Sequence, residues 1–233
     1  MKTIDLLNTT THGVLPQSYY NAINDIAAFD IVLIGDGDTF TDRISGTGSI
    51  GTNTASSGTI NNRFIQGIDF NSTTSLANIG SVLSGTIPAA MTFSAWLAFD
   101  SWDSGAVEQV ANIRVDASNE YRFFKFSSDA IFLYHYAGGT LTQQFQDVST
   151  LTGINHIGFT VSASQIAIYV NGVQVKTGTP SAAPTGTLTF SGLGSLNGIV
   201  SNLFSGVMYD VSINTTTALD SATILKIYNA GKS

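Results

Sequence analysis

Two short stretches of the chain gather aspartates in a way that could hold a metal ion. Asp36-Gly37-Asp38 is followed by Asp42, and Asp100 is followed by Asp103. Carboxylate oxygens are the ligands that a hard cation such as calcium takes. Aspartate also favours turns by bonding its own backbone, and the first stretch lacks the spacing and terminal glutamate of an EF-hand loop. Each stretch is therefore a candidate calcium site, with an ordinary turn as the alternative.

Aromatic residues supply a second candidate chemistry, the binding of sugars. An aromatic face can pack on the apolar side of a pyranose, and Trp102, Tyr134, Tyr136 and Phe145 are placed where they could form such a platform. Trp96 lies in a core-like strand pattern and is predicted to be buried. We predict carbohydrate contacts at Trp102, Tyr134 and Tyr136. The alternative is that these rings fill the core of a protein that has no disulfides.

Catalytic patterns are weak in this sequence. A glycoside hydrolase needs two carboxylates facing each other across the sugar, and the only glutamates, Glu108 and Glu120, are predicted to be solvent-facing hairpin residues. No Gly-x-Ser-x-Gly nucleophile motif occurs. His12, His135 and His156 lack the spacing of metal ligands, and His156 is predicted to be a packed strand residue. We expect a protein that is not an enzyme.

The composition excludes other classes of partner. Nine basic residues stand against sixteen acidic ones, giving a net charge of -7, and the basic residues are scattered singly. A track for nucleic-acid phosphates is not expected. There is no cysteine, and no apolar stretch reaches membrane-spanning length. Residues 1–12 lack the apolar core of a signal peptide, so we expect a chain made in the cytoplasm, with no membrane insertion.

Short runs of β-branched and aromatic residues, separated by Gly, Ser, Asn or Asp, predict many antiparallel strands. Asn171-Gly172 between Val170 and Val173 predicts a tight hairpin, because both positions of a type I′ turn need positive φ. Residues 45–62 are predicted to be a polar loop, in which a Gly-x-Gly-x-x-Gly match is attributed to glycine content. The predicted strands are 30–35, 63–70, 91–99, 107–115, 120–126, 130–136, 140–146, 154–162, 165–170, 173–177, 187–191 and 204–213.

The two ends of the chain depart from the β pattern. Residues 218–230 have apolar residues at helical spacing, Asp220 or Ser221 as a cap and Gly231 as a stop, so one short helix is predicted over a sheet. Residues 1–29 are interpreted as an N-terminal arm or anchoring segment, with an edge strand that begins the domain as the alternative. A single domain is then expected over residues 30–233.

Four segments resemble the laminin-G-like jelly-roll family, a branch of the concanavalin-A-like lectin/glucanase fold. They are Phe93-Ser94-Ala95-Trp96, the His156 strand 154–161, the Ile168–Val173 hairpin, and 204–213 followed by 224–231. The resemblance implies an all-β, antiparallel β-sandwich with one short C-terminal helix. Asn155 stands where the family usually has an aromatic residue, and Tyr209-Asp210 replaces a pair of acidic residues. These departures weaken any transfer of the family's calcium or sugar site, because one fold hosts many functions.

Two functions follow as hypotheses. The first is a structural and binding protein on a virion surface, such as a phage capsid decoration, spike or tail-fibre module, with other virion proteins or further copies of itself as partners. The second is a lectin or adhesin domain, extracellular or on a cell surface, that binds glycan with the help of calcium. A glycoside hydrolase is the least supported alternative.

Overall fold

The computed structural model describes residues 31–36, 39–42, 56–60, 64–70, 77–198 and 201–232. Side chains are described for Phe70, 77–198 and 201–232. The predicted N-terminal arm and the Gly-x-Gly-x-x-Gly match lie outside these residues. Within them, no helix is long and apolar enough to cross a membrane.

Fifteen strands and one helix make up the described part of the chain. In chain order they are β1 (Ile31–Asp36), β2 (Thr39–Asp42), β3 (Ser56–Ile60), β4 (Phe64–Phe70), β5 (Ala77–Asn78), β6 (Met91–Phe99), β7 (Glu108–Asp116), β8 (Asn119–Phe126), β9 (Ala130–Ala137), β10 (Thr140–Asp147), β11 (Asn155–Val161), β12 (Ile166–Val170), β13 (Val173–Gly178), β14 (Phe190–Leu193), β15 (Gly206–Asn214) and α1 (Ser221–Lys232).

These described strands form two antiparallel sheets. Sheet 1 runs β13-β12-β11-β6-β15-β1-β2, with β4 also paired to β15 and β3 paired to β4. Sheet 2 runs β10-β9-β8-β7-β14-β5. The sequence-based prediction of an all-β antiparallel sandwich with a short C-terminal helix is confirmed.

Strand β15 is the junction of sheet 1. It pairs with β6 along one edge, while its other edge pairs with β4 near Gly206 and with β1 near Ile213. A bulge between Tyr209 and Ser212, with a φ of 42° at Asp210, separates the two halves. Bulges bend a strand and raise its twist, which lets one strand serve two neighbours. A Cβ on Gly206 would lie 2.1 Å from the carbonyl oxygen of Ala98, so this close approach requires glycine.

The main hydrophobic core lies between the sheets. Phe123 of β8 stacks on Phe159 of β11 with ring centroids 4.7 Å apart and an interplanar angle of 5°, and Phe93 of β6 packs against both rings. Phe99, Trp102 and other apolar side chains close one end of this core. Aromatic packing of this kind contributes beyond the area that it buries.

A second, smaller core lies between the outer face of sheet 1 and α1. Trp96 stacks on Tyr228 of the helix at 5.6 Å and 25°, and Ile224 and Ile227 are buried beside them. The Asp220 carboxylate accepts a hydrogen bond from the Thr223 backbone at 2.8 Å, so the predicted helix cap is confirmed. Every residue of β6 is buried, because this strand has a core on both faces.

The Asn-Gly hairpin is also confirmed, and two other predictions are corrected. Val170 pairs with Val173, and the φ angles of Asn171 and Gly172 are 49° and 79°. Residues 56–60, predicted to be part of a polar loop, form β3 instead, because pairing with β4 gives this polar segment backbone partners. Glu108 and Glu120 are buried, and not solvent-facing, because each is neutralised by a basic partner.

A buried ion pair between Glu108 and Lys125 joins β7 and β8 near one end of these strands. Lys125 is fully buried, and its Nζ lies 3.2 Å from Glu108 Oε1 and 2.6 Å from Ser104 Oγ. Glu108 Oε2 accepts a hydrogen bond from the Ser205 backbone at 3.0 Å. Strands β7 and β8 and the segments that flank them are thus connected through one buried ion pair. A charge that loses its partner at such a site is strongly destabilising.

We therefore predict that Lys125→Met lowers the free energy of unfolding by about 3 to 5 kcal/mol, because Glu108 is left buried without its cation. Adding Glu108→Gln should recover part of the loss, since it removes the unpaired charge. Urea unfolding followed by circular dichroism measures both. Lys176→Met, at an exposed lysine of β13, is the control and should change stability by less than about 0.5 kcal/mol. Equal losses in the single and double variants would contradict the ion-pair explanation.

Two buried histidines predict a dependence of stability on pH. Burial lowers the pKa of His156 from 6.5 to about 3, and it also lowers the pKa of His135. Well above pH 6.5 both imidazoles are neutral in the folded and the unfolded states, so neither lowers the free energy of unfolding. As the pH falls below 6.5, these two histidines bind protons in the unfolded chain but stay neutral in the folded chain. Stability is then lost by up to about 1.4 kcal/mol per pH unit for each histidine.

His135→Phe tests this prediction. Both ring nitrogens of His135 are buried without hydrogen-bond partners, so phenylalanine removes the titration and leaves no acceptor or donor unsatisfied. The slope of unfolding free energy against pH between about 6.5 and 5 should become shallower. Urea midpoints across this range measure the slope, and an unchanged slope would show that His135 does not contribute.

Candidate functional site

The outer face of sheet 2 carries an array of aromatic side chains. Three neighbouring strands, β8, β9 and β10, contribute them at alternate positions, while the residues in between, such as Phe123 and Leu133, point into the core. We call this array the aromatic face. Its members are Phe124, Phe126, Phe132, Tyr134, Tyr136 and Phe145.

The rings of the aromatic face form one continuous cluster. Phe132 is central and stacks on Phe124 at 5.4 Å and 18°, and on Phe145 at 5.1 Å and 20°. Tyr134 meets Phe124 edge-on at 4.8 Å. Phe145 is 52% exposed and Phe126 is 40% exposed. Contiguous apolar surface of this kind marks an interaction site more often than a structural one.

Strand register determines which rings meet. The turn after Phe126 is tight, with Asp129 at a φ of 56° and its amide donating to the Phe126 carbonyl at 2.9 Å. Arg122 then pairs across the strands with Tyr134, and Phe124 with Phe132. In the next strand pair, Phe145 lies opposite Phe132. Side chains directly opposite each other are close enough to pack, so this register builds the aromatic face.

Arg122 is the charged member of this surface. Its guanidinium lies 5.2 Å from the Phe124 ring centroid and 5.7 Å from that of Tyr134, a cation–π arrangement. Its Nε is buried and has no hydrogen-bond partner. Burial raises the pKa of Tyr134, and nearby Tyr136 raises it further, while Arg122 acts in the opposite direction. The Tyr134 hydroxyl is therefore protonated at neutral pH and can donate a hydrogen bond.

A polar group borders the aromatic face on the β7 side. Glu120 Oε2 accepts from Arg114 Nη1 and from Asn112 Nδ2, each at 3.2 Å. Asn112 Oδ1 in turn accepts from the Asn197 backbone at 3.1 Å, so the segment after β14 holds this group in place. The Glu120 carboxylate is thus engaged by two donors. It is poorly suited to act as an acid or a nucleophile.

The predicted carbohydrate residues divide between two places. Tyr134 and Tyr136 both lie on the aromatic face and are partly exposed, and their sugar contact stays a prediction. Trp102 has to be corrected, because it is only 4% exposed and lies in the main core. Its indole N–H donates to the Gly153 carbonyl at 3.0 Å, and its ring meets Phe99 edge-on at 4.6 Å. These contacts remove the ring from any ligand.

Sequence reasoning missed four residues of this surface. They are Arg122, Phe124, Phe126 and Phe132. The signal was available, since an Arg-x-Phe-x-Phe motif precedes a Phe-x-Tyr-x-Tyr motif with five residues between them. A short connection makes the two strands antiparallel neighbours, and the period of two places both alternating sets on one face.

Of the predicted metal ligands, Asp100 and Asp103 have described side chains, and their role in binding calcium stays a prediction. Asp103 accepts a hydrogen bond from Ser101 Oγ at 2.7 Å, which is typical of a turn, and Asp100 accepts a long-range hydrogen bond from Ser205 Oγ at 2.5 Å. Asp36 ends β1 and Asp42 ends β2, with their side chains outside the described set, and Asp38 lies wholly outside it. Where side chains are described, no three His, Asp or Glu residues form a metal-binding group.

Ser94 and His156 form the arrangement most like a catalytic pair. Ser94 Oγ lies 2.8 Å from His156 Nε2, but both residues are buried. His156 Nδ1 has no partner, so no third residue orients the ring. Trp96 and Tyr228 pack on the imidazole and separate it from solvent, consistent with the predicted packed strand histidine. The pair is a packing feature of the second core.

Several solved structures share this fold at low sequence identity. The botulinum neurotoxin serotype D ligand binding domain in complex with N-acetylneuraminic acid aligns with a TM-score of 0.70 and 14% identity, over 89% of this chain and 52% of that one. The binding domain of Paraclostridial Mosquitocidal Protein 1 aligns with a TM-score of 0.67 and 13% identity, over 88% and 52%. This chain therefore spans about half the length of the toxin structures that it matches.

A smaller lectin-like module aligns over nearly its whole length. The CBM40 domain of the Ruminococcus gnavus IT-sialidase, bound to α2,3-sialyllactose, gives a TM-score of 0.56 and 11% identity, over 70% of this chain and 96% of that one. All three are binding domains by their descriptions. At such low identity the similarities show the fold alone.

Comparison at the level of sequence gives the family. No curated protein sequence matches the chain. The family profile of Laminin_G_3, described as the Concanavalin A-like lectin/glucanases superfamily, matches residues 68–224, which is more than half of the chain and includes both the aromatic face and the Asn-Gly hairpin. The chain therefore belongs to the Laminin_G_3 family of the concanavalin-A-like lectin/glucanase superfamily.

Proposed function

We propose that this protein is a non-catalytic carbohydrate-binding module, and that the aromatic face is its binding surface. The observation that carries the proposal is the partly exposed ring cluster on the open side of sheet 2, beside the Arg122 guanidinium. Ligand sites combine apolar and aromatic surface with a few polar groups that fix orientation. Here the aromatic surface consists of the rings of Phe132, Phe145 and Tyr134. The polar groups are the Arg122 guanidinium and the Tyr134 hydroxyl.

The fold relatives support a sugar over other ligands. A neurotoxin binding domain was solved with N-acetylneuraminic acid and a bacterial CBM40 domain with α2,3-sialyllactose. Both share the sandwich described above. Exposed aromatic rings suit the apolar face of a pyranose.

The carboxylates support binding without hydrolysis. A glycosidase needs two carboxyl groups that face each other across the scissile bond. Beside the aromatic face, Arg114 and Asn112 engage Glu120, and Asp147 at the end of β10 accepts two hydrogen bonds from Ser149. Glu108 is held in a buried ion pair with Lys125. We expect a glycan recovered from the protein to be chemically unchanged.

Ring truncation tests the binding surface. Phe145→Ala and Tyr134→Ala should each weaken binding to a glycan identified on an array by about tenfold, because each removes stacking of the order of 1.4 kcal/mol. Leu225→Ala is the matched control, since Leu225 is 42% exposed on α1, away from sheet 2, and should leave affinity unchanged. Isothermal titration calorimetry measures all three. Equal affinities in wild type, Phe145→Ala and Tyr134→Ala would overturn the assignment of the surface.

The virion setting and calcium dependence are separate proposals. We propose a virion surface location, with other virion proteins or a second copy as partners. Mass spectrometry of purified particles tests it, and absence of the chain from them would refute it.

Calcium assistance is the alternative mode of glycan binding. Binding abolished by a chelator and restored by calcium would support it, whereas binding unchanged by the chelator would refute it.

A further inference from the structure

The basic residues of sheet 2 differ in whether a carboxylate neutralises them. Arg114 pairs with Glu120 at 3.2 Å and Lys125 pairs with Glu108 at 3.2 Å. Among the described residues, Arg122 makes no hydrogen bond or ion pair. Its guanidinium contacts the rings of Phe124 and Tyr134. The sheet therefore presents one uncompensated positive charge, on a chain whose net charge is -7.

The Arg122 guanidinium is held in a fixed position against the sheet. Its Nε is buried and unsatisfied, and a buried donor without an acceptor costs about 1 to 3 kcal/mol. The rings of Phe124 and Tyr134, which meet edge-on, both contact the planar guanidinium, so little side-chain freedom remains to be lost on binding. An anionic ligand can reach the Nη groups of the partly exposed guanidinium, where it would accept hydrogen bonds and neutralise the charge.

We infer that the glycan bound by the aromatic face carries a carboxylate, and that Arg122 binds this carboxylate. The inference rests on the proposed carbohydrate-binding function. A guanidinium presents parallel N–H donors whose spacing matches the two oxygens of a carboxylate. Tyr134, which lies opposite Arg122 in the register, adds a neutral hydroxyl donor, and the rings of Phe132 and Phe145 receive the apolar side of the sugar.

The neighbouring charges are consistent with an acidic sugar. Glu120 lies on the same face two residues before Arg122, opposite Tyr136, and Asp147 lies on this face farther away, two residues after Phe145. Arg114 compensates the charge of Glu120, so the pair leaves the field of Arg122 nearly intact. Because the Arg122 side chain is partly exposed, the attraction should weaken as salt is raised.

The ligands for the test are α2,3-sialyllactose, its sialic acid methyl ester, lactose, a glucuronic-acid disaccharide and sulfated lactose. We expect the wild-type protein to bind the two carboxylated sugars at least about tenfold more tightly than the methyl ester and lactose. Sulfated lactose should bind less well than the carboxylated sugars, since the oxygens of a sulfate ester are weaker hydrogen-bond acceptors than those of a carboxylate. Calorimetry at two salt concentrations measures the affinities.

Variants of Arg122 assign the preference to this residue. Arg122→Met should reduce the preference for carboxylated over neutral sugars to less than about twofold while leaving weak binding through the rings, and Arg122→Lys should retain part of it. Lys176→Met, at an exposed cation of sheet 1, should keep the full preference. Thermal unfolding by circular dichroism confirms that each variant is folded.

The possible failures are distinguishable. If the wild type binds lactose as tightly as sialyllactose, or if Arg122→Met keeps the preference, the inference is overturned and the carbohydrate-binding function stands. If sulfated lactose binds as tightly as the carboxylated sugars, the site recognises oxyanions in general and the carboxylate assignment is overturned. If no sugar on a broad array binds, the proposed function itself fails.

Discussion

The register of β8 and β9 is the constraint on which the candidate site depends. Phe123 stacks on Phe159 across the sandwich at 4.7 Å, and this contact fixes which residues of β8 point inward. Side chains in a strand alternate between faces, so a slip of one residue would move Arg122 and Phe124 into the core and Phe123 to the surface. The inner packing therefore specifies the outer surface. The buried Lys125–Glu108 pair acts in the same direction, because it stabilises one alignment of β7 with β8.

The two sheets have different surroundings on their outer faces, and this difference leaves the site open. Sheet 1 is covered by α1, whose Tyr228, Ile224 and Ile227 pack over Trp96, so β6 is buried on both sides. Where residues are described, sheet 2 has no such helix, and Phe145 and Phe126 remain partly exposed. An apolar surface left in contact with water is unfavourable by roughly 25 cal/mol per Å². Retaining a ring cluster there in a chain with few charged residues is easier to explain by binding than by folding.

The sequence could predict the fold because the relevant signals are local. Alternating apolar residues locate the strands, Asn171-Gly172 dictates a positive-φ turn, and Asp220 caps the helix. It could not predict where Trp102 points, because a tryptophan next to aspartates in a turn looks the same whether its ring is outside or packed on Phe99. Strand β3 was also missed, since a segment of Ser, Gly and Thr becomes a strand only through its partner β4.

For a related reason, only part of the candidate site could be predicted from the sequence. Tyr134 and Tyr136 are recognisable as amphipathic aromatics, whereas Phe124 and Phe132 look like core residues until the register is known. Arg122 gives no signal in isolation, because a single arginine in a strand is most simply a solvated one. Its significance depends on pairing, since Arg114 and Lys125 each have a carboxylate partner and Arg122 has none among the described residues.

The fold by itself does not determine what this protein binds, because the same sandwich carries different sites in different relatives. The argument for a sugar therefore depends on the surface of sheet 2 and on the groups that it combines. A purely apolar patch would suit a protein partner equally well. A partly exposed guanidinium that contacts two rings and has no carboxylate partner among the described residues favours a ligand that offers both an apolar face and an anionic oxygen. An acidic pyranose has both features within a single ring, at a separation that adjacent side chains on neighbouring strands can span.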